Sequence, residues 1–255
     1  MKVVSPKIYL VSESSFFDAA VTDFLSDEGV AWRKSLSAAE VENAIEIAGR
    51  ICYMSFSNKQ SPKDNFEYIR NLIENGHESV LEHVSWSFLI SGVSRGFTHQ
   101  LVRHRVGFSY SQLSQQYYDE SNANVVLPNG YMDDGFDKAA WLKAIETAFV
   151  AYREIISSFK SGVGASKKEK NRDVMTVARS VLPNAVESKI YVTANARALR
   201  HFLDVRGGIE GDWEMREVSR LLYEIVSVRA PSIFADFGLV RLADGSLGVK
   251  RKAPI

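Results

Sequence analysis

The chain of 255 residues is 45% hydrophobic and 24% charged, a composition typical of a soluble globular protein with a sizeable core. Lysine plus arginine and aspartate plus glutamate number 31 each, so the net charge is zero, which argues against binding a nucleic-acid polymer over a broad basic surface. With Cys52 as the only cysteine, and without an apolar leader or a run of roughly 20 apolar residues, the sequence predicts a cytoplasmic protein that has no internal disulfide and no membrane contact.

The first hundred residues are predicted to hold two strands and four helices. Apolar spacing, a capping sequence at Ser37-Ala-Ala-Glu40 and a stop at Gly76 set the boundaries. The predicted strands are 7–12 and 84–90, and the predicted helices are 15–28, 37–54, 62–76 and 93–103. Strand 84–90 alternates apolar and polar residues, which predicts one buried and one exposed face.

The remaining residues are mostly helical. Residues 119–137 are rich in Asn, Gly and Asp, which predicts a long loop. The predicted helices are 138–161, 167–181, 195–205 and 212–228, with a strand at 190–193 and a hairpin at 239–247 around Asp244-Gly245. Because strands and helices do not alternate regularly, we expect an α+β fold, with helices packed on a small mixed or antiparallel sheet in a single domain over residues 1–255.

The stretch 98–118 is the most informative for function. Arg103, His104 and Arg105 are adjacent, and the hydroxyl- and amide-rich run 109–116 follows them. Such an order is typical of a pocket for a phosphorylated, hydrogen-bonding ligand. On a helix these three side chains would point about 100° apart and so face different partners. Two plainer interpretations stay open: cations that complement a helix C-terminus, and an ordinary polar loop.

The five histidines fall into three short segments that are also rich in polar residues. In the last of them Arg197 and His201 are four residues apart and share a helix face, and Asn195 stands at a natural cap position. Taken singly, each arginine of this segment is more typical of a surface residue, and His77 and His83 of satisfied core or cap residues. It is the clustering that indicates a site.

Several separated motifs, in this order, resemble the flavin-dependent thymidylate synthases. They are His77-Glu-Ser-Val-Leu-Glu-His83, Arg103-His-Arg105 followed by Ser114, Ala178-Arg179-Ser-Val-Leu-Pro183, and Asn195–Arg206 followed by Trp213-Glu214. They span residues 76 to about 237. The resemblance implies that family's fold, which is not a Rossmann fold, and the sequence has no Gly-x-Gly-x-x-Gly.

The resemblance also implies a reaction and its participants. The reaction is C5 methylation of a uracil nucleotide such as dUMP, with methylenetetrahydrofolate as carbon donor, FAD as hydride carrier and NADPH as reductant of the flavin, in a homotetramer with shared active sites. The implied catalytic residue is Arg206. Positions that match nucleotide binding are Gln100, Arg103, Gln112, Leu113, Ser114, Gln115, Gln116, Arg179 and Arg206. Positions that match FAD binding are Ser79, Glu82, Arg103, His104, Arg105, Gln112, Asn195, Arg197 and His201.

Uracil C5 is a weak nucleophile that must be activated. The only cysteine, Cys52, lies in an apolar helical stretch and is expected in the core, so no thiolate route is evident. A guanidinium beside N3 would instead favour N3 ionisation and raise the electron density at C5. By the family's pattern that guanidinium belongs to Arg206.

Two departures from the family's pattern fall in the nucleotide loop. Eight residues, rather than the family's seven, separate Arg105 from Ser114, with Gly107 as the expected insertion. Gln116 stands where the family usually has arginine, so a neutral amide replaces a charged fork. We therefore hypothesise that UMP is accepted as well as, or instead of, dUMP, as in relatives from nucleoside-antibiotic pathways.

Two other classes of function remain as alternatives. One is a catalytically silent homologue that binds flavin or nucleotide. The other is a metal-dependent hydrolase that uses the histidines, but His77 and His83 would lie about 240° apart on a helix, which suits no common zinc arrangement. We therefore expect no metal.

Overall fold

The computed structural model describes residues 1–128, 135–159 and 167–252, with the backbone alone for 167–170. The α-helices are α1 Asp18–Asp27, α2 Glu40–Ile51, α3 Asn65–Glu74, α4 Arg95–Leu101, α5 Lys138–Ser158, α6 Lys167–Ala178, α7 Ala196–Arg206 and α8 Trp213–Arg229. The strands are β1 Val3–Val4, β2 Lys7–Glu13, β3 Ser85–Ser94, β4 Phe108–Gln112, β5 Val125–Val126, β6 Glu187–Asn195, β7 Phe237–Arg241 and β8 Leu247–Arg251. Short 3₁₀ helices lie at Ser57–Lys59, Glu78–His83 and Arg179–Val181. Within the described ranges no helix has the length and apolarity needed to cross a bilayer.

The described strands form small sheets, as expected of an α+β fold. The four-stranded sheet has the order β2-β3-β6-β4, so the late strand β6 lies between two earlier ones. β1 pairs in parallel with β5, with Val3 opposite Val125. β7 and β8 form an antiparallel hairpin in which Arg241 lies opposite Leu247. The predicted mixture of helices and small mixed or antiparallel sheets is confirmed.

The described residues form two compact units, each assembled from three separated segments. The first unit comprises Met1–Lys7, Ile90–Arg103 and Tyr110–Tyr191. The second comprises Ile8–Leu89, His104–Ser109 and Val192–Ile255. Since each unit draws on both halves of the chain, no single cut in the sequence separates them. The single-domain organisation stays a prediction.

Each unit has its own apolar cluster. In the first, the inner face of α5 contributes Ile145 and Phe149, which are buried with Val125 and Val186. In the second, residues of α1 and α2 pack with Phe56, and the cluster includes Leu25 and Ile47. Burial of such side chains stabilises the fold by roughly 1.5–3 kcal/mol each. The clusters fix the elements that carry the polar residues described below.

A buried ionic network anchors α2 within the second unit. The guanidinium Nε of Arg50 donates to Glu46 Oε1 at 2.6 Å, and both side chains are fully buried. Asn65 Nδ2 and the indole N–H of Trp32 also donate to the Glu46 carboxylate, at 2.7 and 3.0 Å. Because both charges are compensated by hydrogen bonds, this part of the unit tolerates their burial.

The sequence misplaces the start of α2. The helix begins at Glu40 with Ala39 at the N-cap, and Glu42 Oε2 accepts the Ala39 N–H at 3.2 Å. Ser37 does not cap the helix; its hydroxyl lies 3.2 Å from that of Ser35. Only one of the two hydrogen bonds of a capping box is therefore present, the one that the Glu42 side chain accepts from the N-cap backbone.

Cys52 is not a core residue. α2 ends at Ile51, and Cys52 follows it as an exposed C-cap residue whose Sγ donates weakly to the Ala48 carbonyl at 3.4 Å. The expectation of burial was wrong because the apolar stretch 51–54 ends the helix instead of continuing its buried face. The thiol has no role in packing.

β3 also differs from its predicted form. One residue of the expected exposed face is buried: Ser87 is 8% exposed, and its Oγ lies 2.8 Å from Thr193 Oγ1. Of the other two residues on that face, Ser85 is partly buried and Leu89 is exposed. β3 lies inside the sheet between β2 and β6, and its serines are satisfied by a neighbouring strand.

The segments next to the predicted site are shorter or more regular than expected. α4 ends at Leu101, so Arg103, His104 and Arg105 lie beyond the helix, and the predicted helical fan of these side chains is wrong. Part of the polar run 109–116, which could have been a loop, forms β4. The predicted loop 119–137 contains β5, and its residues 129–134, like residues 160–161 of the predicted helix 138–161, lie outside the described residues.

Candidate functional site

Helix α7 and its N-cap hold four of the eight predicted site residues of the second unit. Asn195, the last residue of β6, caps it: the side-chain Oδ1 accepts the Ala198 N–H at 2.8 Å. One face is apolar and buried, through Leu199, Phe202 and Leu203. The opposite face therefore presents its polar side chains outward, as the spacing of the sequence predicts.

Four of the nine predicted FAD residues are brought together by two elements that pack on each other. α7 packs against the 3₁₀ helix Glu78–His83, which carries Ser79 and Glu82. On α7, Arg197 and His201 are both exposed. Arg197 Nη1 donates to Glu82 Oε1 at 2.6 Å, with both side chains about half exposed. The two predicted residues therefore form an ion pair across the two elements.

Arg200, by contrast, is a buried structural residue. It is 1% exposed, and its Nη1 and Nη2 donate to Asp236 Oδ1 and Oδ2 at 2.6 and 2.8 Å. Nη1 also donates to the Ile233 carbonyl at 2.5 Å. The surface interpretation of this arginine was wrong, because a bidentate partner from 36 residues downstream compensates its charge.

The turn that follows Arg105 is built on Gly107. Gly107 has φ +73°, in the left-handed region, and its carbonyl accepts the Asn195 N–H at 3.0 Å. A Cβ at this position would lie 2.7 Å from both the Ala198 Cβ and the Asn195 Nδ2. Gly107, the expected insertion, thus fits closely against the N-terminus of α7.

His104 and Arg206 are in direct contact. The guanidinium Nε of Arg206, the last residue of α7, donates to His104 Nε2 at 3.0 Å. The imidazole packs edge-on against Phe202, with ring centroids 5.1 Å apart. Burial first, and then the nearby Arg206 and His201, lower the pKa of His104 below its ordinary value of 6.5. The neutral imidazole is therefore favoured, as its role as acceptor requires.

The predicted FAD residues fit a flavin nucleotide by the chemistry of their donors. Exposed guanidinium and imidazole groups on one face of α7, with the hydroxyl of Ser79 and the guanidinium of Arg105 in the same unit, are suited to phosphate and to carbonyl oxygens. The acidic Glu82 already engages one of them, so the set is not uniformly cationic. None of these donors is buried without a partner.

In the first unit, the predicted nucleotide residues cluster around the end of β4. Gln112, its last residue, donates from Nε2 to Thr98 Oγ1 at 2.6 Å and to Ser188 Oγ at 3.0 Å. Leu113 N–H donates to the Lys189 carbonyl at 2.8 Å. Gln112 therefore ties β4 to α4 and β6 with its amide hydrogens.

The turn after β4 carries the rest of the motif. Ser114 Oγ accepts the Gln116 N–H at 3.2 Å, and Gln116 Nε2 donates to Thr176 Oγ1 at 3.2 Å. Gln115 is buried, at 9% exposed. Upstream, Gln100 and Arg103 are exposed and linked by a backbone hydrogen bond of 3.1 Å. Gln116 therefore contacts α6 through a hydrogen bond from its side-chain amide to the Thr176 hydroxyl.

Sequence reasoning missed Arg95, which belongs to this cluster. Its Nη1 donates to the Leu113 carbonyl at 3.1 Å. Burial lowers its pKa, and the positive charge of the predicted residue Arg179 lowers it further, whereas Glu120 acts in the opposite direction. Two guanidinium groups in this proximity favour an anionic ligand such as a phosphate.

A signal for Arg95 was present in the sequence. It is the first residue of α4, directly after the N-cap Ser94. A cation is disfavoured at that end of a helix, where the helix dipole is positive. An arginine at such a position therefore indicates a partner elsewhere, which here is the loop that begins at Leu113.

The histidines do not form a metal centre in the part of the chain that the structure describes. No group of three or more His, Cys, Asp or Glu side chains there could hold a metal ion. His77 and His83 are both exposed and lie at the two ends of the 3₁₀ helix Glu78–His83.

The second unit presents exposed guanidinium and imidazole groups on α7, and in the first unit the charge of Arg179 acts on Arg95. A family described as "Thymidylate synthase complementing protein" matches residues 36–232. The chain therefore belongs to the family of the flavin-dependent thymidylate synthases. It is 42% identical over 231 residues to the flavin-dependent thymidylate synthase of Mycobacteroides abscessus, covering 89% of this chain and 91% of that protein. The enzyme of that name from Mycobacterium marinum is 41% identical over 232 residues, with the same coverage.

A solved structure shares the fold. It is a UMP/dUMP methylase, PolB from Streptomyces cacaoi, bound with 5-Br dUMP. Its TM-score is 0.65 over 92% of this chain and 96% of that chain, at 21% sequence identity. At this identity the likeness establishes the architecture and no more.

Proposed function

We propose that this chain catalyses the flavin-dependent methylation of a uracil nucleotide at C5, with FAD as cofactor, methylenetetrahydrofolate as carbon donor and NADPH as reductant. The observation that carries the proposal is the environment of Arg206. Its Nε is bound by His104, and among the described residues no acceptor engages its terminal nitrogens. A half-buried arginine whose two terminal nitrogens have unused N–H donors is suited to a polar ring edge.

Arg206 acts on the pyrimidine by electrostatics. Its terminal nitrogens donate to the ring edge around N3, where negative charge develops as the N3 proton passes to water. The positive charge lowers the pKa of N3, and the resulting electron density makes C5 nucleophilic. No covalent adduct to the protein is needed, so the exposed Cys52 at the end of α2 has no role in this proposal.

Other residues of the chain bind and orient. Arg179, with the neighbouring Arg95, neutralises the nucleotide phosphate, and Gln100, Arg103 and the loop 112–116 contact the rest of the nucleotide. The residues that hold FAD, which supplies the hydride when it is bound, are Ser79, Glu82, Arg103, His104, Arg105, Gln112, Asn195, Arg197 and His201. We include the homotetramer with shared active sites in this proposal.

The second part of the proposal concerns which uracil nucleotide is methylated. Gln116 places a neutral amide, which is hydrogen-bonded to Thr176, at a position where the family usually has the charged guanidinium of arginine. Weaker charge contact with the nucleotide reduces the discrimination between ribose and deoxyribose that depends on a fixed pose. We propose that UMP is methylated as well as dUMP.

The decisive experiment is a product assay on the purified, FAD-loaded protein with NADPH and methylenetetrahydrofolate. dUMP and UMP are offered side by side, and the 5-methylated products are measured. We expect product from both nucleotides, near-unchanged turnover for Cys52→Ala, and a loss of about 100-fold or more in kcat for Arg206→Ala. Absence of product from either nucleotide would identify a silent homologue, and strict rejection of UMP would remove the second half of the proposal.

A further inference from the structure

We propose that His104 is a positioning residue for Arg206: the neutral imidazole holds the guanidinium by its Nε and so directs the two terminal nitrogens to the pyrimidine. The inference rests on the proposed function, in which Arg206 activates the ring. It assigns His104 a task in the methylation chemistry that is distinct from holding FAD.

The hydrogen bond has one possible direction. An arginine side chain carries donors only and stays protonated in proteins, so Nε must donate and His104 Nε2 must accept across the 3.0 Å between them. An imidazole nitrogen can accept only when it carries no proton. His104 therefore has its proton on Nδ1 and is neutral whenever this contact exists.

The imidazole that accepts this bond is itself fixed by packing. Its ring centroid lies 5.1 Å from that of Phe202, at an interplanar angle of 76°, and 6.0 Å from that of Phe108. Phe202 is fully buried in the core beneath α7. Since these aromatic contacts restrict the ring, the acceptor is presented to Arg206 at a defined place.

The electrostatic surroundings keep the acceptor available. Burial lowers the pKa of His104, and among the described residues the nearby Arg206 and His201, both on α7, lower it further. As pH falls through that lowered pKa, the imidazole gains a proton, the bond is lost and two cations face each other. The guanidinium is then no longer held, so an acidic limb in the pH profile of kcat follows.

Two substitutions separate positioning from packing. His104→Phe keeps an aromatic ring between Phe202 and Phe108 but removes the acceptor. His104→Gln places a neutral amide oxygen at about the distance of Nε2 and cannot be protonated. His77→Phe makes the same chemical change at an exposed histidine outside this cluster and is the matched control.

The assay measures kcat and KM for the better nucleotide from pH 5.5 to 9. We expect His104→Phe to lower kcat about tenfold or more with little change in KM, and His104→Gln to restore kcat to within about threefold and to abolish the acidic limb. Wild-type kinetics in His104→Phe, or equal damage in both variants, would overturn the inference. FAD affinity is followed by flavin fluorescence in both variants. A loss of kcat in His104→Phe that persists at saturating FAD supports positioning, whereas a loss of rate that saturating FAD restores would assign His104 to FAD alone.

A readout without turnover tests the contact itself. In ¹⁵N NMR titrations of the purified protein, we expect His104 Nε2 to be unprotonated at neutral pH and to titrate below the ordinary histidine range. Arg206→Gln removes the adjacent charge and should raise that pKa. An unchanged pKa in Arg206→Gln would contradict the pairing, even if the wild-type protein gave no methylated product and the proposed function had failed.

Discussion

The peptide N–H of Asn195 donates to the carbonyl oxygen of Gly107 across 3.0 Å, while the side chain of the same asparagine caps α7. One residue therefore fixes both the turn after Arg105 and the first turn of the helix that carries Arg197, His201 and Arg206. Gly107, the expected insertion of the motif, is part of this junction.

Gly107→Ala should destabilise the protein by about 2–4 kcal/mol. The left-handed φ of +73° disfavours an alanine by about 1 kcal/mol, and its Cβ would lie 2.7 Å from the Ala198 Cβ, which forces a shift of α7. Gly76→Ala is the matched control, because Gly76 has φ +71° and open space around it. Urea unfolding should give about 1 kcal/mol for the control; equal losses in both variants would show that the close contact has no cost.

Gln116→Arg should restore the charge that is usual in the family. We expect the KM for dUMP to fall about fivefold, because an added guanidinium contributes about 1 kcal/mol to phosphate binding at a half-exposed site. The ratio of UMP to dUMP turnover should fall as well. Gln116→Met has similar length without charge or amide and is the control. A similar gain from methionine would show that charge is not the cause.

Glu120→Gln should stabilise the protein at alkaline pH. Burial raises the pKa of Glu120 from 4.5 to about 7, against smaller opposing effects of Lys189 and Arg95. The folded state thus binds the proton more tightly than the unfolded chain, so the protonated form favours folding below pH 4.5 and this advantage is lost as pH rises through about 7.

The glutamine variant should equal wild type near pH 5 and exceed its free energy of unfolding by about 1–2 kcal/mol at pH 8. Thermal and urea unfolding across this range measure the difference. Glu154→Gln, at an exposed position of α5, should show no such trend. A difference that is flat with pH would disprove the burial argument.

Asp236→Ala should destabilise the protein by about 2–4 kcal/mol. It leaves the guanidinium of Arg200, which is 1% exposed, without its bidentate partner. Glu224→Ala removes a partner of the more exposed Arg220 and should cost less than about 1 kcal/mol. Equal losses, measured by denaturant unfolding, would show that the Arg200 pair is no stronger than a surface pair.

Local sequence patterns predicted the structural features that depend on residues close together in the chain. The cap of α7 by Asn195 and the hairpin around Asp244-Gly245 both occur as expected, because a capping bond and a tight turn involve residues three or four positions apart. The exposed face shared by Arg197 and His201 follows from helical spacing in the same way.

The misjudged residues depend on distant partners. Arg200 has the same local pattern as Arg197, yet it is buried because Asp236 lies within reach. Ser87 is predicted to face solvent, but its hydroxyl is hydrogen-bonded to that of Thr193 on the neighbouring strand. The partner of Arg95, the Leu113 carbonyl, lies 18 residues away in the chain. The only local signal for this contact is the position of a cation at the N-terminal end of a helix, where the helix dipole disfavours it.

By itself, the sequence determined the family, the α+β class and the residue types available for flavin and nucleotide, because motifs and periodicity are properties of neighbouring positions. Only the tertiary structure decided which of these groups meet. It joined His104 to Arg206, a hundred and two positions later, and turned Cys52 outward. Charge, protonation and donor direction at a site depend on which groups the fold brings within about 3–6 Å of each other. The local sequence does not determine which groups come this close.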